Sequence, residues 1–264
     1  MKALILAAGE GTRLRPHTAD RPKCLVEIGG RSLLAHQIAA LERVGVRDIH
    51  IVTGYCAEQI ETFNYPTFHN PDFATTNMVA SLMCAASLFD GRDDLIITYA
   101  DIVYEPRVLD ALCHSAAPLA TTVDELWRRL WALRSEDPIA DAETLRIDAS
   151  DHILELGKKP SSLDEIEAQY MGLIKVRADF GPELARAYQA LDRNALYDGR
   201  RLTNMYMTSF LQHLIDQGQP LQAVRIRGGW LEVDTVADLE LYLRLFAEGR
   251  LDEYCRLPLG DVAR

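Results

Sequence analysis

Gly9, Gly11, Arg13, Arg15, Arg21 and Lys23 fall within fifteen positions of one string, GEGTRLRPHTADRPKCL at residues 9–25. Glycines let backbone N–H groups approach phosphate oxygens, and Arg13 and Lys23 can neutralise charge on a pentacoordinate phosphorus. The whole chain carries 28 Lys and Arg against 39 Asp and Glu, a formal net charge of −11. General attraction to nucleic acid or an anionic membrane is therefore not expected, and this string is the local basic cluster that a triphosphate would require. Two commoner glycine motifs are absent: the dinucleotide fingerprint needs a glycine where Leu14 stands, and the P-loop needs Gly-Lys-Ser/Thr after four residues.

Two carboxylates complete the chemistry. Asp101 follows the apolar run LIITY and Asp234 follows WLEV, so both are expected at strand ends. With phosphate oxygens and waters they suit octahedral Mg²⁺. An aspartate in such a place can instead cap a helix. For Asp234 that job is taken by Thr235 and Asp238, which form a capping-box-like T-x-x-D. For Asp101 local sequence leaves both roles open, although Pro106 starts the next helix too far on for Asp101 to be its cap.

The elements that must position these groups follow from periodicity. Residues 3–8 form a continuous apolar run, as in a parallel strand covered on both faces. Ser32 caps a helix whose Leu33, Leu34, Ile38, Leu41 and Val44 recur at helical spacing, with Gly45 at its stop. Strands are expected at 48–53, 95–99 and 119–123, and helices at 78–89 and 106–115. This alternation predicts a doubly wound α/β sheet, with the glycine loop at the carboxyl end of its first strand, where open sheets bind ligands.

Beyond residue 123 the alternation breaks into a Trp- and Arg-rich segment, two short strands around 148–151 and a polar stretch at 158–167. Helices are then expected at 181–191 and 205–215, a strand at 221–226, and a last helix through Phe246. The expectation is one domain over 1–264, with a nucleotide-binding half of about 1–123 and an acceptor-binding half of about 124–264 holding an inserted α+β subdomain. Five scattered cysteines without CxxC spacing argue against disulfides and zinc and for a reducing cytoplasm. The apolar start is too short for a signal or a membrane span.

From Leu6 to Leu25 the chain matches LAAGxGTRLxPxTxxxPKxL, and so resembles the sugar-phosphate nucleotidyltransferase superfamily without departure at the characteristic positions. The resemblance implies a Rossmann-like, mostly parallel sheet and a nucleotide held by Leu6, Ala8, Gly9, Gly11 and Thr12. It also implies Arg13 on the β- and γ-phosphates, Lys23 on the α-phosphate, and metal-binding aspartates at 101 and 234. The string NMVASLMCAAS, residues 77–87, is similar to the phosphocholine cytidylyltransferase-like branch, in which Asn77 and Ser81 would face a pyrimidine. An N-cap Asn and a small packing Ser are the alternative for that pair. The likeness continues through DELWRRLWALRSEDPIADAETLRID, ELGKKP, QYMGLIKV, MYMTSFLQHLI and GGWLEVDTVADLELY.

These features predict a Mg²⁺-dependent cytidylyltransferase: an acceptor phosphate or phosphonate oxygen attacks the α-phosphorus of CTP and pyrophosphate leaves. A sugar-1-phosphate uridylyl- or thymidylyltransferase is the second reading, and a catalytically silent nucleotide-sensing subunit the third. Acceptor candidates are Trp127, Arg128, Arg129, Arg134, Lys158, Lys159, Gly172 and Asn204, with a solvated helix face as the alternative for any one arginine. The basic residues among them predict a small anionic acceptor such as a phosphonate, rather than phosphocholine. Trp127 and Trp131, four apart, would share a helix face as core, lid or cation cage. Self-association into a homo-oligomer is left open.

Overall fold

The computed structural model describes residues 1–257; residues 258–264, the end of the expected acceptor-binding half, lie outside the described residues. Nine strands and seven helices carry the site. The strands are β1 (Lys2–Ala7), β2 (Asp48–Thr53), β3 (Thr67–His69), β4 (Leu95–Tyr99), β5 (Ile102–Tyr104), β6 (Leu119–Asp124), β7 (Gln169–Val176), β8 (Gln222–Ile226) and β9 (Trp230–Glu232). The helices are α1 (Leu33–Arg43), α2 (Met78–Cys84), α3 (Pro106–Cys113), α4 (Trp127–Arg134), α5 (Gly181–Gln189), α6 (Met207–Asp216) and α7 (Val236–Ala247).

Seven strands form one sheet in the order β8-β6-β7-β4-β1-β2-β3. All run parallel except β7, which is antiparallel to both β4 and β6. This is the expected doubly wound, mostly parallel arrangement. The apolar run of β1 divides between two cores: Ala3, Ile5 and Ala7 join one, while Leu4, Leu6 and Ala8 join the other. Successive side chains of a strand point to opposite faces, so a strand covered on both sides must be apolar throughout. Helices α1, α3, α4 and α7 contribute to the first core and α2, α5 and α6 to the second.

Local devices fix the ends. Ser32 Oγ accepts from the Ala35 N–H, and Thr235 with Asp238 completes the capping box that starts α7. From within α1, Gln37 Nε2 donates to the carbonyl oxygens of Tyr99 (2.7 Å) and Ile102 (2.5 Å), holding the turn that carries Asp101. Strands β5 and β9 pair antiparallel as a separate ribbon, and the Val233 N–H donates to Asp101 O at 2.9 Å. The ribbon thus sets Asp101 and Asp234 side by side.

Three local expectations are corrected. The helix begun at Met78 stops at Cys84 and tightens into a short turn, Ala86–Leu88. The two short strands flank residues 148–151 as Leu145–Ile147 and Ile153–Leu156, leaving those residues as the connection. Strand β7, unforeseen, inserts the second half of the chain between two strands of the first.

Candidate active site

The loop after β1 passes Gly9 and turns at Gly11, whose φ is +63°. A Cβ there would lie 2.8 Å from Lys23 Cβ, so the glycine is what lets Lys23 cross beneath the loop. The loop is pinned from inside by the fully buried Thr18, whose hydroxyl donates to Gly11 O at 2.8 Å.

Lys23 Nζ donates to Asp101 Oδ2 at 2.8 Å and to Asp234 Oδ1 at 2.9 Å, while Arg13 pairs with the second oxygen of Asp234. Burial alone would depress the Lys23 ammonium, but the two carboxylates outweigh it and hold its pKa above the usual lysine value. Lys23 therefore stays charged through the neutral range. The other oxygen of Asp101, Oδ1, is buried without a partner among the described residues. An orphaned carboxylate oxygen beside a second carboxylate is a donor set that fits a hard divalent cation.

Two cavities meet at this cluster. The first is lined by Leu6, Ala8, Gly9, Gly11, Lys23, Asn77, Ser81 and Asp101, among others. Asn77 caps α2 through its side-chain oxygen, as the alternative reading had it, yet it also borders this cavity. Ser81 Oγ accepts from the buried Asn70, which leaves its own proton to offer. Thr12 stands outside both linings, and Arg13 belongs to the second.

The second cavity adjoins the first through Met78 and opens between β7, α4 and α6, with Tyr99, Tyr170, Gly172, Glu143, Asp141 and Glu232 on its walls. Tyr170 donates to Tyr99 at 3.1 Å, and burial pushes both hydroxyls up, so both are neutral donors at neutral pH. Glu232 is pushed up to about 7 by burial, opposed by Arg134 and reinforced by Asp101 and Asp234. Glu143 forms no ion pair among the described residues, and burial, with Asp141 and Asp198 nearby, raises the pKa of its carboxyl group. Gly172 has φ +78°, and a Cβ there would sit 2.4 Å from the Tyr99 ring. Gly172→Ala is expected to cost roughly 2–4 kcal/mol of stability and to raise the acceptor KM, through backbone strain plus overpacking; thermal melts and steady-state kinetics check both.

A family model described as the MobA-like NTP transferase domain matches residues 3–155. The chain belongs to the MobA-like NTP transferase family. Along nearly its full length this transferase is 42% identical to CTP:phosphoglutamine cytidylyltransferase of Campylobacter jejuni, covering 92% of this chain and 99% of that one. It is 31% identical to CMP-5'-(3-aminopropyl)phosphonate synthase of Streptomyces rubellomurinus over 75% of this chain and 32% of that longer protein. The inositol-1-phosphate CTP transferase of T. maritima shares the Rossmann-like fold, with a TM-score of 0.70 at 17% identity over 97% of both chains.

The transferase brings together most of the residues expected at the nucleotide, but few of those expected at the acceptor. Trp127 is 1% exposed and packs in the core beside Trp131, which lies near Trp230; Trp131 also borders the second cavity, so the pair does not form a two-indole cage. Arg128 donates to Leu163 O and Arg129 stacks over Tyr254, both away from the cleft. Lys159 donates to the carbonyls of Ile139 and Ala140, and Lys158 pairs with Glu155. Arg134 is buried against Glu232 and Asp238. Asn204 donates to Thr75 O and braces the loop before Asn77. Of the acceptor candidates, Gly172 alone lines the second cavity, where Trp131 of the tryptophan pair joins it. Glu143, Tyr99, Tyr170 and Glu232 were missed; the i, i+2 pair Asp141 and Glu143 was the one signal available.

Proposed function

We propose that this chain transfers CMP from CTP to a small phosphate- or phosphonate-bearing acceptor that also carries an ammonium group, releasing pyrophosphate with the help of Mg²⁺. Cytidylyl transfer to a phosphate-bearing acceptor is supported by the likeness to the phosphoglutamine enzyme over nearly all of both chains. The observation that carries the reading is the meeting of Lys23, Asp101 and Asp234 at the border of the glycine-loop cavity and an acidic cleft. In-line displacement needs the attacking and leaving oxygens on opposite sides of one phosphorus, which two adjoining cavities provide.

The backbone from Gly9 to Gly11 cradles the phosphates, and Asn77 and Ser81 present polar groups to the pyrimidine edge. Lys23 neutralises the α-phosphoryl oxygens as they gain charge, and the exposed Arg13 reaches the departing pyrophosphate. Bound between Asp101 and Asp234, magnesium would supply further charge neutralisation on the phosphates. The acceptor needs no strong base, because a phosphate monoester's second pKa is roughly 6. Asp141 and Glu143 hold its ammonium in the cleft; the anion-holding arginines expected from sequence face elsewhere.

A panel assayed for pyrophosphate release tests this. An aminoalkylphosphonate is expected to exceed the alkylphosphonate of equal length in kcat/KM by about tenfold or more. Glu143→Gln should raise the KM for the amino acceptor by about tenfold and leave that for CTP unchanged. Equal efficiency of the two phosphonates would remove the ammonium reading, and equal use of ATP and CTP the pyrimidine one.

A further inference from the structure

A third cavity, of about 370 Å³, lies at the far end of the β5–β9 ribbon and takes no part in the chemistry above. Arg107, Arg129, Arg227 and Arg256 line it together with Glu105, Asp124, Asp252, Glu253 and Tyr254. The carboxylates are largely committed. Asp124 accepts from the Gly228 N–H (2.8 Å) and from Trp230 Nε1 (2.9 Å); Glu105 accepts from Arg107 Nε (2.6 Å) and the Arg256 N–H (3.0 Å). Glu253 pairs with Arg250. Arg107 is committed too, its Nη2 donating to the carbonyls of Arg227 and Gly228.

The guanidinium groups of Arg129, Arg227 and Arg256 form no ion pair among the described residues; of the carboxylates in the lining, Asp124 and Asp252 likewise have no cation partner. Three unpaired guanidinium groups against two unpaired carboxylates leave a small cationic excess here, in a chain of net charge −11. Arg129 lies over the Tyr254 ring, 4.6 Å from its centroid, which fixes one fork in place. Guanidinium forks recognise phosphate and carboxylate oxygens in pairs.

The cavity is joined to the chemistry by its own wall. The Glu105 N–H donates to Gly229 O at 2.8 Å at this end of the ribbon, and Val233 meets Asp101 at the other. Three residue pairs lie between, Trp230 with Tyr104 to Glu232 with Ile102, a length of about 10 Å. Trp230, the first residue of β9, lines the arginine cavity, and the ribbon it begins also delivers both aspartates. We infer that this cavity binds a phosphate-bearing small molecule whose occupancy adjusts turnover through the β5–β9 ribbon.

The full chain is titrated with inorganic phosphate, and separately with CMP, at constant ionic strength while the Trp230 indole N–H resonance is followed; turnover is measured across the same titrations at saturating substrates. The parent protein is expected to show a saturable Trp230 shift and a turnover change of about twofold or more. The double variant Arg227→Ala/Arg256→Ala should keep its phosphate-free turnover and melting temperature but bind the probe about tenfold more weakly, with the turnover response lost. Tighter binding of CMP than of phosphate in the parent, lost in the variant, marks a nucleotide; equal binding marks a simple phosphate ester. An unmoved Trp230 resonance overturns the inference, as does a variant that responds like the parent, or binding without any change in turnover. The resonance is read without substrates, so it stands whether or not the assigned reaction is correct.

Discussion

Replacing Asp234 with Asn is expected to lower kcat by about a thousandfold while the protein stays folded. The side chain is 9% exposed and bridges Lys23 and Arg13, so the substitution removes a charge where the proposed reaction would hold the phosphoryl group. The backbone around it does not depend on that carboxylate. Its N–H is held by Asp238 at 3.1 Å, and Asp238 is held by Arg134 and by the capping box. Steady-state kinetics over a magnesium series, beside thermal melts, separates the two effects: the half-saturating Mg²⁺ concentration should rise and the melting temperature stay close to the parent's. Near-normal turnover at the parent's Mg²⁺ concentration would remove Asp234 from the machinery.

Lys23→Met is expected to have an effect as large on kcat and a second one on stability. The ammonium, on a side chain 15% exposed, is what keeps Asp101 and Asp234 from facing one another as unbalanced carboxylates. Removing one partner of a buried charge cluster costs about 3–5 kcal/mol. In chelator the variant should melt well below the parent, and added Mg²⁺ should recover most of the loss while raising the parent's melting temperature less. If Mg²⁺ leaves the variant's melting temperature unchanged, the two aspartates do not form a metal site. The recovery needs no turnover and so tests the aspartates apart from the reaction.

Why the nucleotide side was legible and the acceptor side was not follows from how each is built. Gly9 to Lys23 are contiguous, and their composition states their ligand: no helix or strand interior needs two glycines among arginines and a lysine. Asp101 and Asp234 each end an apolar run, a local signal of a strand terminus, but local sequence left Asp101 open between ligand and cap, and the superfamily resemblance implied the metal role. The second cavity is assembled from β4, β7, β9, α4, α6 and the segment before Leu145, and beyond the Asp141 and Glu143 spacing no local pattern announces it. The arginines of α4 misled because charge alone does not give direction. Arg134 turns inward to Asp238 and Glu232, while Arg128 and Arg129 are drawn to a carbonyl and an aromatic ring. Strand β7 escaped because Gly172 and Lys175 interrupt its apolar run, and Lys175 is buried only by virtue of Asp94 and the carbonyls of Cys113 and Ser115.

The reversed strand between β4 and β6 also bears on how the chain is made. Leu173 pairs with Thr98 across a loop of roughly 75 residues, so β4 leaves the ribosome with one flank unsatisfied. At translation rates of about 5–20 residues per second, that flank waits several seconds for its partner. Long-range pairing of this kind slows folding and exposes an apolar edge to other nascent chains. The cavity beside the glycine loop is lined by residues up to Asp101, whereas the sheet that supports it gains its last flank only when β7 arrives.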